Sequence, residues 1–129
     1  MKTYPSILVC TTLQRDCEHL IHAAAHRLSE NGTLQVLHVA DRPFNFFENI
    51  REGEALESLF TTAKSHGAEL TIINATQIPE TIAQFAEHYR ICCIFLGASR
   101  MDSSHRYEER LQELLLNSDI AVETISPFA

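Results

Sequence analysis

The chain has 129 residues, 45% of them apolar, and its seventeen acidic against ten basic side chains leave a net charge of −7. That length reads as a single domain, residues 1–129, able to bury roughly two thirds of its unfolded surface, and the negative balance argues against nucleic acid or an anionic membrane as partner. No apolar run approaches the roughly 18 residues of a membrane span, and Met1-Lys2-Thr3-Tyr4-Pro5 leads into a strand rather than a signal peptide, so the expected location is cytoplasmic.

Ser6-Ile7-Leu8-Val9-Cys10 is a short apolar run of strand formers. From Gln14 the spacing changes to Leu20, Ile21, Ala24, Ala25 and Leu28, one face of a helix, with Asn31-Gly32 as its stop. Leu34 to Val39 predicts a second strand, followed by Leu56, Leu59, Phe60 and Ala63 at helical spacing and a stop at His66-Gly67. Leu70-Thr71-Ile72-Ile73 predicts a third strand. The helix after it carries Ile78, Ile82, Phe85, Ala86 and Tyr89, with Pro79 in the first turn, where a missing amide hydrogen costs little.

Ile91 to Leu96 is apolar throughout, as a strand covered on both faces should be, and Gly97 ends it. Tyr107, Leu111, Leu114 and Leu115 mark a fourth helix, and Ala121 to Ile125 a last strand. Strands joined by helix-length crossovers pair in parallel with right-handed connections. The expected fold is therefore α/β, a three-layer sandwich with a five-stranded parallel sheet and helices on both faces. In such sheets ligands bind outside the carboxyl ends of the strands, which selects Thr11-Thr12-Leu13, Ala40-Asp41-Arg42 and Gly97-Ala98-Ser99-Arg100 as converging loops.

Catalytic readings find little support. His38 with Asp41, and Asp102 with His105, lack a serine or cysteine nucleophile at a G-x-S-x-G turn, so no enzyme is expected. Cys10, Cys92 and Cys93 lie in apolar strand segments and Cys17 near a helix start; none has C-x-x-C spacing, and they read as reduced packing thiols. His19, His22 and His26 fall on one stripe of the first helix, opposite the apolar face. The stripe is expected to face water, with no acid or cysteine to complete a ligand set, so no metal is assigned. Pro43-Phe44-Asn45-Phe46-Phe47 crowds aromatics into a loop after the second strand, where core packing or closure over the sheet end is expected.

In order and spacing, Ile7-Leu8-Val9-Cys10-Thr11, Leu37-His38-Val39, Phe95 to Arg100 and Leu114 to Val122 resemble the universal stress protein superfamily. The resemblance covers residues 6 to 126 and is strongest to the stress-protein-like domain of KdpD-type potassium sensor kinases; it implies a fold of the adenine nucleotide alpha hydrolase-like kind. ATP-binding members carry an acid at the end of the first strand, where Thr12 stands here, leaving the Val39 backbone to hold the base. Their phosphate loop has spaced glycines that let backbone amides reach the anion. Here Gly97 is retained, Arg100 replaces the second glycine, and Glu108-Glu109 stand at the glycine-serine position, where like charge disfavours a triphosphate. Ser99 and the forked guanidinium of Arg100 offer partial compensation.

The resemblance thus implies a stress-response or signalling domain that binds a nucleotide weakly or not at all and acts through association. Its nucleotide contacts would be Thr11, Thr12, Val39, Gly97, Ser99 and Arg100, its ligand ATP, AMP or cyclic di-AMP. The alternatives are an ATP- or cyclic-dinucleotide-binding regulator, and a ligand-free protein-interaction module related to the sensor kinases. A homodimer through the last strand and a signalling-protein partner are the expected associations.

Overall fold

The computed structural model describes residues 2–11, 17–40, 50–97 and 102–125, apart from the side chains of residues 17, 50–52 and 102–107. Strands and helices alternate in the order β1 (Tyr4–Thr11), α1 (Cys17–His26), β2 (Leu28–Ala40), α2 (Ile50–Ser65), β3 (Glu69–Asn74), α3 (Ile78–His88), β4 (Cys93–Gly97), α4 (Asp102–Leu114) and β5 (Ala121–Ile125). All pairings are parallel, in the order β3-β2-β1-β4-β5. This is the expected α/β architecture.

Because successive side chains of a strand point to opposite faces, the sheet divides the core in two. Ile7, Val9, Val36, Cys93 and Phe95 meet Leu20, Ile21 and Ala24 of α1 and Leu59 and Ala63 of α2 on one face. Leu8, Leu37 and Ile94 meet Ile82, Phe85 and Ala86 of α3 and Leu111 of α4 on the other. The central strands β1 and β4 therefore bury every residue from Ile7 to Val9 and from Cys93 to Phe95.

Several boundaries differ from the sequence expectation. The first helix ends at His26, and Asn31-Gly32 does not stop it. Leu28 instead pairs with Tyr4, and β2 advances from Leu28 to Thr33 while β1 advances only from Tyr4 to Ser6. The extra residues fold back locally: Asn31 takes φ 63°, and a Cβ on Gly32 would stand 2.8 Å from both Leu28 Cγ and Ser29 O. Pro5, which has no amide hydrogen for the ladder, sits at this same register shift in an otherwise central strand.

The third strand extends one residue beyond the predicted run at each end, and the fourth begins at Cys93 rather than Ile91. Phe60 and Tyr89 leave their predicted apolar faces, at 53% and 49% exposure. On α2 the buried stripe runs through Leu59, Thr62 and Ala63, so Phe60 is turned one residue, about 100°, away from it. Tyr89 lies just past α3, as its C-cap, stacked on Phe85 with ring centroids 4.5 Å apart.

Helix α3 closes in a Schellman motif, with Ile91 N–H donating to Ala86 O and Arg90 N–H to Glu87 O. Arg90 occupies the left-handed position at φ 55°. The same motif closes α2 through Ala68 to Ala63 and Gly67 to Lys64, with Gly67 at φ +70°, as the His66-Gly67 stop predicts.

Candidate functional site

Parallel pairing brings the carboxyl ends of the strands to one edge of the sheet. Thr11 pairs with His38, and one step beyond the Cys10↔Leu96 pair stand Thr11 and Gly97. Thr11 and Gly97 therefore end β1 and β4, and Val39 stands one residue before the end of β2, all at nearly one level. The chain leaves β1 toward β2 on one side and returns from β3 to β4 on the other. The sheet order reverses at β1 and β4, and this is the position where doubly wound folds open a crevice.

Thr12, Ser99 and Arg100 lie outside the described residues, as do Leu13, Asp41 and the aromatics of 43–47. What is described is the carboxyl edge of the strands. His38 is buried there, and its Nδ1–H donates to Thr11 O at 2.9 Å, which joins the ends of β1 and β2 through a side chain as well as through the ladder. The hydroxyl of Thr11 is buried and has no hydrogen-bond partner among the described residues. A hydroxyl withdrawn from water without a partner is destabilising, by about 1–3 kcal/mol.

Gly97 carries no positive φ, and a Cβ built on it would meet only Leu20 Cδ2, at 3.7 Å, an ordinary contact. Neither packing nor backbone conformation among the described residues requires glycine at this position. Cys10, at the end of β1, has its thiol pKa pushed up by burial.

Glu108 and Glu109 fall within α4. Glu108 is half-buried and accepts from Gln112 Nε2 at 3.4 Å, while Glu109 is exposed. The helix thus keeps two carboxylates in the crossover that follows β4.

The histidine stripe of α1 is exposed, as expected, but two of its members are neighbours. His22 Nε2 and His26 Nε2 lie 3.1 Å apart with their rings edge to face. His66, beyond the end of α2, brings its ring centroid to 5.7 Å from that of His22. Among the described residues no group of three or more His, Cys, Asp or Glu side chains is arranged to hold a metal ion.

Sequence reasoning overlooked His66, and it also passed over Arg27, Tyr4 and Glu123. Arg27 donates from Nη1 and Nη2 to the two carboxylate oxygens of Glu123, at 3.0 and 2.8 Å, and Tyr4 Oη donates to Glu123 Oε2 at 2.7 Å. Burial works against the Glu123 charge, but the hydrogen bonds from Tyr4 and Arg27 outweigh it and hold the carboxyl below the usual range. Glu123 in turn raises the pKa of Tyr4 through their hydrogen bond, with burial adding to the shift, and burial pushes Cys93 up to about 11. The available sequence signal was an acid at the centre of the last strand, between Val122 and Thr124.

No protein-family model matches the chain, and no curated protein sequence matches it. Solved structures do. A universal stress protein from Archaeoglobus fulgidus is 20% identical with a TM-score of 0.64, over 95% of this chain and 94% of that one. A structure of the A. fulgidus universal stress protein in complex with dAMP gives 20% identity and a TM-score of 0.65, over 95% and 98%. A universal stress protein in complex with cAMP is 12% identical with a TM-score of 0.68, over 98% and 99%. At these identities the likeness establishes the fold, that of the universal stress proteins, over nearly the full length of the chain.

Proposed function

We propose that this chain is a binding module of the stress-response and signalling kind that holds an adenine mononucleotide weakly in the β1/β4 crevice and acts through association rather than turnover. The observation that carries the reading is the buried, unpartnered hydroxyl of Thr11 at the carboxyl end of β1, a group that a ligand's polar edge would satisfy. Two other features support it. Neither packing nor backbone conformation among the described residues requires glycine at position 97, and structures of the same fold are complexes with dAMP and cAMP.

In this reading Thr11, Thr12 and the Val39 backbone contact the base and sugar, while Gly97, Ser99 and Arg100 receive one phosphate. A triphosphate fares worse, because Glu108 and Glu109 add negative charge along α4 to a chain already at −7. The finer relation to the domain of KdpD-type sensor kinases rests on Phe95 to Arg100, with its serine-arginine pair.

Thermal unfolding with AMP, dAMP, cAMP, cyclic di-AMP and ATP tests the proposal. A monophosphate present at a hundred times its dissociation constant adds about 2.7 kcal/mol of stability. Monophosphates are expected to stabilise more than ATP at equal concentration, and Arg100→Ala to remove most of the gain. Preference for ATP would refute the charge argument. No shift with any of the five would leave the ligand-free interaction module as the better reading.

A further inference from the structure

We propose that His22 and His26 form a chelating site for a borderline divalent transition-metal ion of the Cu²⁺, Ni²⁺ or Zn²⁺ class, on the outer surface of α1 beside α2. The two Nε2 atoms stand 3.1 Å apart on an exposed helix surface. With metal–nitrogen bonds of about 2.0–2.1 Å, that span closes on a single ion at an angle of about 100°, between tetragonal and tetrahedral geometry. The i, i+4 spacing on a helix places both rings on one face without rearranging the backbone.

In the metal-free state the pair is compatible with only some protonation states. At 3.1 Å one Nε2 donates and the other accepts, so the two rings hold opposite tautomers or share a proton. When an ion takes both Nε2 lone pairs, the Nε2 proton moves through solvent to Nδ1 of the same ring, and any extra proton the pair shared is released to water. The surroundings favour a cation. His26 lies in the last turn of α1, at the negative end of the helix dipole, and Glu18 stands one turn before His22 on the same helix. From α2, Thr62 Oγ1 donates to Glu18 Oε1 at 3.2 Å and fixes that carboxylate.

His66 borders the pair. Its Nδ1–H donates to Thr62 O at 3.0 Å, which keeps the lone pair on Nε2 and the ring 5.7 Å from that of His22. Two protein nitrogens, with water completing the coordination, make a site of exchangeable rather than structural metal. It is independent of the nucleotide crevice: α1 runs back from the carboxyl edge of the sheet, so His26 lies toward the opposite edge.

Calorimetric titration of the full chain with Ni²⁺ and Zn²⁺, and electron paramagnetic resonance with Cu²⁺, test the assignment. Wild type should take up one ion, with Cu²⁺ bound most tightly and a two-nitrogen spectrum. His22→Ala and His26→Ala should each weaken binding by at least about tenfold, and His88→Ala, on α3, should leave it unchanged. Both substituted positions are exposed, so circular dichroism should show an intact fold. Absence of uptake by wild type, or undiminished uptake by the His22→Ala/His26→Ala double variant, would overturn the proposal.

Discussion

Thr11 and Glu123 show how differently two polar side chains can be used in one small core. The Thr11 hydroxyl is left without a partner among the described residues, and Thr11→Val, of nearly the same shape, removes it without opening a cavity. Chemical denaturation should show the variant more stable than wild type by about 1 kcal/mol in the absence of nucleotide. The nucleotide-induced gain should be lost; a variant that keeps the full gain would exclude Thr11 as a contact. Glu123 has all its partners, and Glu123→Gln should cost about 1–3 kcal/mol, because bonds to a charged carboxylate are exchanged for weaker neutral ones. The sign of the pH dependence follows from the depressed pKa of Glu123 in the folded chain. Its stabilising contribution is complete above the ordinary carboxylate value and is lost as pH falls through the folded one. The difference in melting temperature between wild type and Glu123→Gln should therefore hold above the ordinary carboxylate value of 4.5 and narrow as pH falls below it. A constant difference would mean that packing, not charge, is what Glu123 supplies.

The helix ends and the β2 turn are where local chemistry and tertiary need meet. Arg90 holds a left-handed position in the Schellman turn of α3, a conformation that costs a side-chain-bearing residue about 1–2 kcal/mol. Glycine relieves that cost but gains unfolded-state freedom, so Arg90→Gly should stabilise by somewhat less, up to about 1 kcal/mol. Its carbonyl, which accepts from Ser6 Oγ at 3.0 Å, would stay in place. Gly32 is the reverse case. Its neighbours at 2.8 Å include a backbone oxygen that has little freedom to yield, so Gly32→Ala should destabilise by about 1–3 kcal/mol, measured by urea unfolding. The pattern of apolar residues predicted all nine elements, since alternating 2.0 and 3.6 periodicities are local properties. It misjudged the end of α1 because Leu28 and Asn31-Gly32 suit a helix exit as well as a strand entry. Pairing of Leu28 with Tyr4, remote in sequence, decides between them.

Across the sheet, β5 is an edge strand, with Ala121, Val122, Glu123 and Ile125 only half-buried, and Leu116 shortly before it is 79% exposed. An edge strand offers unpaired backbone groups to a second copy, which supports association through this strand as part of the proposed function. Sedimentation equilibrium should then give a concentration-dependent dimer that Leu116→Glu weakens; a monomer at every concentration would remove this element of the reading. No helix among the described residues is long and apolar enough to cross a membrane.

Fold class was legible in the order of apolar runs because a parallel α/β sheet is written as repeated buried strands and amphipathic crossovers, each recognisable within a dozen residues. The shared edge of the strand ends was legible too, because parallel pairing brings every carboxyl end to one side of the sheet. Thr11, Val39 and Gly97 do converge there, while Thr12, Ser99 and Arg100 lie beyond the described residues. What only the folded arrangement decided were relations between residues far apart in the chain: the missing partner of the Thr11 hydroxyl, the Arg27–Glu123–Tyr4 cluster, and His66 beside His22. Periodicity records which face of an element is buried, but not which side chains of other elements it meets, because strand order and helix packing set those distances.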